Sequence, residues 1–483
     1  MWLTRMFANS LIKRFLDNHL WWIVQAIAYA VFAFMIGKLI GKGGMMVAIV
    51  LIAIPIVVFF LAFLLMNPGA ALDGSMIVGF FSAGITRYIV APWGLAMDGF
   101  LFIGWLALFF KKFRDTDWSP LRNDVMMVAM VWYGLVILEL GNPEMNGVEC
   151  WFYAMRGNGF YQVLSFGLVF MLYREQRYLD RFLSWTIILS LIGTAWGFRQ
   201  MITGVDEAEA KWLYVDGFAL THMLAGVLRV FSFYSDAGQF GASQAHVFVV
   251  CAIIALGPVS TKQRIWYGIG AIFCFIGFAV SGTRGALAVP ALGAVTYLVV
   301  SKNFKILILG LAMLGSVFYV LKYTKAFQSV EQVKRMRTAM DPEDASFQVR
   351  LKNQRTFARH LATRPFGGGI GAAGYWGFRF NPNSLLANTA TDSYYVKIWA
   401  ETGIIGICLH LFMFGWFVGK GGHVVWHLKD PVLRVKIAGL YSGMTGIMFA
   451  SYGNQVYSQL PTGILMGISI PLIFMAPHFD KHN

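Results

Sequence analysis

Charge is scarce in this chain of 483 residues: 13% of positions are Asp, Glu, Lys or Arg, against roughly 25% in a soluble domain. With 58% hydrophobic residues and a mean hydropathy of +0.61, that scarcity excludes a soluble enzyme and requires an integral membrane protein. Acidic residues are scarcer than basic ones, 24 against 39, for a formal net charge of +15. The basic residues are scattered over many loops instead of forming one stripe, and no nucleic-acid motif accompanies them, which argues against a nucleic-acid partner. Cysteine is limited to four positions. Cys251, Cys274 and Cys408 fall inside apolar runs and Cys150 lies just outside one, so neither a disulfide framework nor zinc spacing follows. His222, His246 and His360 form no metal-ligand spacing among themselves, and His410, within an apolar run, reads as a packing residue. GxSxG, Walker and Rossmann fingerprints are missing. No metal or cofactor is expected.

What is abundant is apolar and aromatic. The 16 Trp, 19 Tyr and 42 Phe suit lipid-facing surfaces and interfacial belts. A span needs about 20 mostly apolar residues. Such runs fall near 22–40, 44–66, 74–92, 94–110, 125–141, 158–173, 183–200, 243–257, 264–280, 284–300, 304–322, 393–418, 435–453 and 457–477. The expected fold is all-α and polytopic, with about 12–14 transmembrane helices; Arg87 interrupts the third run. Residues 1–20 place Trp2, Leu3, Phe7, Leu11, Phe15 and Leu16 on roughly one face, as an interfacial helix would, and they lack a cleavage site. The expected organisation is that amphipathic helix, a bundle over 21–322, a large loop over 323–392 with short helices near 326–340 and 346–362, and C-terminal helices over 393–483.

With both termini cytoplasmic, Lys111-Lys112-Arg114, Arg174-Arg177-Arg181, Lys262-Arg264, Lys302-Lys305 and Lys429-Arg434-Lys436 all fall inside. The same threading leaves 201–242 and 323–392 outside, together with Arg156, Arg199, Arg229, Arg284, Arg350, Arg355, Arg359, Arg364 and Asp392. A guanidinium stays charged and its planar fork matches phosphate oxygens. Fixed cations in a partly dry site stabilise the charge that develops on a departing diphosphate. Arg284, in Ser281-Gly282-Thr283-Arg284-Gly285, opens a span and is costly there without an anionic partner. Asp392 is the candidate for taking a proton from an acceptor hydroxyl, although Thr391-Asp392-Ser393 also reads as a helix cap. Arg156 also reads as a snorkelling side chain, Arg199 and Arg229 as surface ion-pair partners of nearby acids, and Arg350 to Arg364 as a solvated helix face. Glu401 reads as a buried residue that orders helices.

The run Ser281-Gly282-Thr283-Arg284-Gly285, then Arg350, then Arg364-Pro365-Phe366-Gly367-Gly368-Gly369-Ile370-Gly371, then Asp392-Ser393-Tyr394-Tyr395 leading to Glu401-Thr402-Gly403-Ile404-Ile405-Gly406, resembles the O-antigen ligase and O-antigen polymerase superfamily. The likeness is strongest over roughly residues 229–415. It implies a metal-independent, inverting glycosyltransferase of the GT-C type in the bacterial inner membrane, moving a glycan from undecaprenyl diphosphate to an acceptor at the periplasmic face. It implies a diphosphate contact for Arg284, with Arg350 matching the family's loop arginine. Arg156 and Arg229 correspond to outward arginines on earlier helices, and Tyr395 joins the substrate-binding set. Where ligases carry a His-Asn pair, this chain has Asp392-Ser393, a departure that favours a polymerase. Expected partners are the lipid-linked oligosaccharide, an acceptor glycan, membrane lipids and envelope polysaccharide assembly proteins. A lipid-glycan flippase is the alternative of another class, and would distribute its charges along a central path.

Overall fold

The computed structural model describes residues 2–110, 116–224, 226–302 and 345–481, with scattered positions between 308 and 337. Most of the expected span 304–322 and of the expected helix 326–340, and the whole cluster Lys111-Lys112-Arg114, lie outside the described residues. The chain divides into two units, residues 1–66 and 67–483.

The first unit is one helix, α1 (Trp2–Met66), broken at Gly44, whose φ of 64° suits a residue without Cβ. The break separates the two expected spans, and Gly44–Met66 is strongly apolar, with mean hydropathy 3.2.

In the second unit the helices are α2 (Pro68–Tyr88), α3 (Trp93–Phe110), α4 (Asp124–Leu138), α5 (Val148–Met155), α6 (Tyr161–Leu172), α7 (Gln176–Thr203), α8 (Ala237–Ala255), α9 (Thr261–Val280), α10 (Arg284–Val300), α11 (Ala345–Leu361), α12 (Gly374–Phe380), α13 (Tyr394–His427), α14 (Pro431–Ala450) and α15 (Thr462–Lys481). Local chemistry fixes many of the starts. Asn123 accepts from the Met126 amide at 2.8 Å before α4, and Ser260 and Gln263 form a capping box on α9. Asp430 caps α14 ahead of Pro431, which needs no amide partner at a first helical position. Among the described residues, nine helices are long and apolar enough to cross a membrane, and the chain is an all-α polytopic membrane protein. α14 falls below that mark because Arg434, Lys436, Ser442, Thr445 and its glycines dilute it.

At the centre stands α8, buried over nearly all its length and packed on α9, α14, α10 and α7. Glycines let α14 approach closely: a Cβ at Gly439, Gly443 or Gly446 would press on Val250, His246 or Val289. Some polar groups inside the bundle find partners on neighbouring helices. Gln239 donates to Thr462 Oγ1 at 2.7 Å and Gln244 to the Ser190 carbonyl at 3.0 Å.

The expected sixth span, 158–173, is found as α6, which a π-turn over Arg156–Phe160 joins to the preceding α5. The break is held across the bundle, since Asn158 Nδ2 donates to Glu401 Oε2 at 2.9 Å. α13 breaks in turn at Gly403, where φ is 62° and a Cβ would collide with the Pro365 carbonyl. Into that break docks the glycine turn 365–371: Gly368 N donates to Ala400 O and Gly369 N to Glu401 O, both at 2.9 Å. The close approach that these glycines allow is therefore made to α13. Arg87 ends α2, where it donates to the Ser232 carbonyl at 2.8 Å and to the Tyr234 carbonyl, so this charge ties the loop 204–236 to the bundle.

Candidate functional site

Helices α8, α10 and α13 begin at the same end of the bundle, where α9 and α14 finish, so five chain segments bring polar residues to one place. They enclose a cavity of about 690 Å³ lined by residues that include Arg229, Arg284, Arg350, Asp236, Asp392 and Asn454. That volume is in the range that holds a substantial ligand.

Each wall has a local cause. The loop before α8 contains a small antiparallel ribbon, β1 (Met223–Leu224) and β2 (Val227–Leu228), which an all-α expectation does not include. The ladder continues by one step, with Arg229 N donating to His222 O at 2.8 Å, so His222 and Arg229 sit opposite each other. The Arg229 guanidinium donates to Thr221 O and to Thr283 Oγ1, both at 3.0 Å. Thr283 Oγ1 passes its own proton to the Ala237 carbonyl at 2.8 Å, linking the ribbon, the turn before α10 and the start of α8. Gly282, with φ of 58°, makes that turn possible, and Arg284 follows as the first residue of α10. Asp236 caps α8 through the Gln239 amide at 2.9 Å and accepts from Ser235 at 3.1 Å. Arg350 arrives on α11 from the far side of the long loop.

Asp392 sits in the left-handed region, with φ of 50°, a conformation that aspartate tolerates better than most residues. The helix cap is its neighbour: Ser393 is the N-cap of α13 and accepts from Val396 N. The chain on either side is anchored, with Gln455 donating to Thr391 Oγ1 and Tyr394 N donating to Ser451 O at 2.9 Å. Asp392 thus lines the cavity on a fixed backbone without serving as the cap residue.

Of the six residues singled out in the sequence, Arg229, Arg284, Arg350 and Asp392 line this one cavity. Arg156 and Tyr395 do not. Arg156 donates to Asp98 Oδ2 at 2.9 Å in a nearly buried ion pair, at the π-turn between α5 and α6. Tyr395 donates to the Met448 carbonyl at 2.6 Å and packs α13 against α14. Arg199 meets Asp206 and Glu209, as the ion-pair reading expects, and Arg364 meets Glu144 at 2.8 Å. Asn454, Ser235 and Phe218 are cavity residues that the sequence reading passes over. For Asn454 the available signal is its place in the polar link between two apolar runs, which the reading shortens by extending a span to residue 453. His423 and His427 have i,i+4 spacing with rings 4.1 Å apart, but lie at the opposite end of α13. Among the described residues no three His, Cys, Asp or Glu are grouped to hold a metal ion.

Residues 269–411 match the O-antigen ligase family, a segment that contains Arg284, Arg350, Asp392 and Glu401. That match agrees with the resemblance of the chain's motifs to the O-antigen ligase and polymerase superfamily. The chain is also similar to an O-antigen polymerase of Salmonella muenchen, 26% identical over 356 residues that cover 71% of this chain and 80% of the relative.

Proposed function

We propose that the chain is a membrane glycosyltransferase that moves a glycan from undecaprenyl diphosphate to an acceptor glycan hydroxyl at the periplasmic face, as a polysaccharide polymerase. The observation that carries this reading is the meeting of Arg229, Arg284, Arg350 and Asp392, drawn from four separated segments, in a single cavity. The named activity of the Salmonella relative supports polymerisation.

In this reading the guanidinium groups hold the diphosphate, and their fixed charge stabilises the leaving group more as the sugar–phosphate bond breaks than before it. The acceptor oxygen attacks the anomeric carbon from the side opposite the departing phosphate, inverting that centre, and its proton passes to the Asp392 carboxylate. The reaction needs no metal, because arginine supplies the charge a metal ion would otherwise supply. In this reading the basic clusters near residues 174–181, 262–264 and 429–436 face the cytoplasm, as do both termini, which the positive-inside bias supports.

Purified protein incubated with lipid-linked oligosaccharide from its native host tests the proposal. A ladder of products is expected, and absence of any transfer overturns it. The match to a family described as O-antigen ligase favours a second reading, transfer to a lipid or protein acceptor, and a single addition in the same assay would select it.

A further inference from the structure

Phe218 is 41% exposed, although it belongs to the wall of a cavity whose other lining residues are charged, polar or glycine. One face of its ring is covered. Trp212 stacks on it with centroids 4.5 Å apart and planes 13° from parallel. Behind Trp212 stands the Arg87 guanidinium, 4.2 Å from the indole centroid and fixed by its bonds to the Ser232 and Tyr234 carbonyls. His222 closes the same cluster, its ring 5.0 Å from Trp212 and 5.3 Å from Phe231. The backbone under Phe218 is held as well: its carbonyl lies 2.9 Å from His222 Nδ1. A carbonyl can only accept, so Nδ1 carries the proton, and burial keeps this imidazole below its ordinary pKa and neutral. The Phe218 ring is therefore a braced plate with one face covered and the other available to the cavity.

We infer that Phe218 is a sugar-stacking wall of this cavity and helps determine which glycan the protein accepts, an inference that rests on the glycosyltransferase reading above. Sugars offer axial C–H groups on one face and hydroxyls around the edge, and they are held by an aromatic face flanked by hydrogen-bonding groups. Thr221, Ser235, Asp236 and, on the segment after α14, Asn454 share the cavity wall with Phe218. A prenyl chain would call for continuous apolar lining instead. A plate already immobilised loses little freedom when ligand docks, which favours affinity.

The test compares two ligands on protein in lipid nanodiscs: undecaprenyl diphosphate without sugar, and lipid-linked oligosaccharide extracted from the native host. Phe218→Leu keeps apolar bulk and removes the ring face, and Phe218→Tyr restores the face. The expected result for Phe218→Leu is binding of the oligosaccharide-linked lipid weakened about three- to tenfold, with undecaprenyl diphosphate bound as in the wild type and with Phe218→Tyr close to normal for both. Equal weakening for the two ligands would overturn the inference, assigning Phe218 to the prenyl diphosphate. Unchanged binding of both, or loss of the folded protein in both variants, would overturn it too, leaving a packing role. Failure of the wild type to bind either lipid would instead remove the glycosyltransferase reading itself.

Discussion

Some arginines of this chain are answered by carboxylates inside the protein, whereas others line the cavity. Arg156 ends on Asp98 at 2.9 Å, with both side chains nearly buried, and Arg199 and Arg364 find Asp206, Glu209 and Glu144. In the cavity, Arg229, Arg284 and Arg350 line a volume of about 690 Å³ whose wall offers two carboxylates, and one of these, Asp236, is already spent on capping α8. An arginine near a helix end can thus be held in an ion pair or set in a cavity wall, and the fold decides which.

Substitutions can break or sharpen that contrast. The largest effect is expected from Arg284→Ala, with product formation reduced about 10²–10³-fold while expression and membrane insertion are kept. Arg284→Lys should recover only part of the rate because the two-bond fork is lost. Turnover measured with the lipid-linked oligosaccharide decides this, and near-normal activity of the alanine variant would place Arg284 with the structural arginines. Asp392→Asn should lower the rate about 10²-fold with little change in thermal stability, since Ser393 caps α13. A stability loss with intact turnover would reverse that assignment. Arg156→Ala should act the other way: it leaves Asp98 buried and uncompensated, at a cost of about 3–5 kcal/mol. Its signature is poor thermal stability, eased by adding Asp98→Asn, with donor affinity unchanged in whatever protein survives purification. Arg364→Ala, whose partner Glu144 is 42% exposed, should change stability by less than about 1 kcal/mol. A large effect on melting there would show that the glycine turn depends on this pair.

Much of the fold is legible in the sequence because lipid imposes a simple rule, that a spanning segment be apolar and satisfy its own backbone. The spans near 264–280, 393–418 and 457–477 reappear as α9, α13 and α15. The sixth, near 158–173, reappears as α6, but the π-turn at Arg156–Phe160 that precedes it is not legible, because it depends on Asn158 reaching Glu401 far along the chain. Glu401 illustrates the opposite case: an acid within a span must have partners, and Asn158 and Lys397 are those partners. Arg284 and Asp392 could be nominated from their chemistry, yet the sequence offers the same arguments for Arg156. Phe218 is invisible among 42 phenylalanines, since nothing local marks the one whose covered face rests on Trp212.

Composition and hydropathic rhythm alone determined that this chain is an all-α membrane protein, because burial in hydrocarbon is selected segment by segment. The order of its motifs carried the family likeness. Which arginines share a cavity, that Ser393 and not Asp392 caps α13, and that Arg156 is consumed by Asp98 were decided only by tertiary structure. Electrostatic roles depend on distances between residues remote in the chain, and those distances come into being when the helices pack.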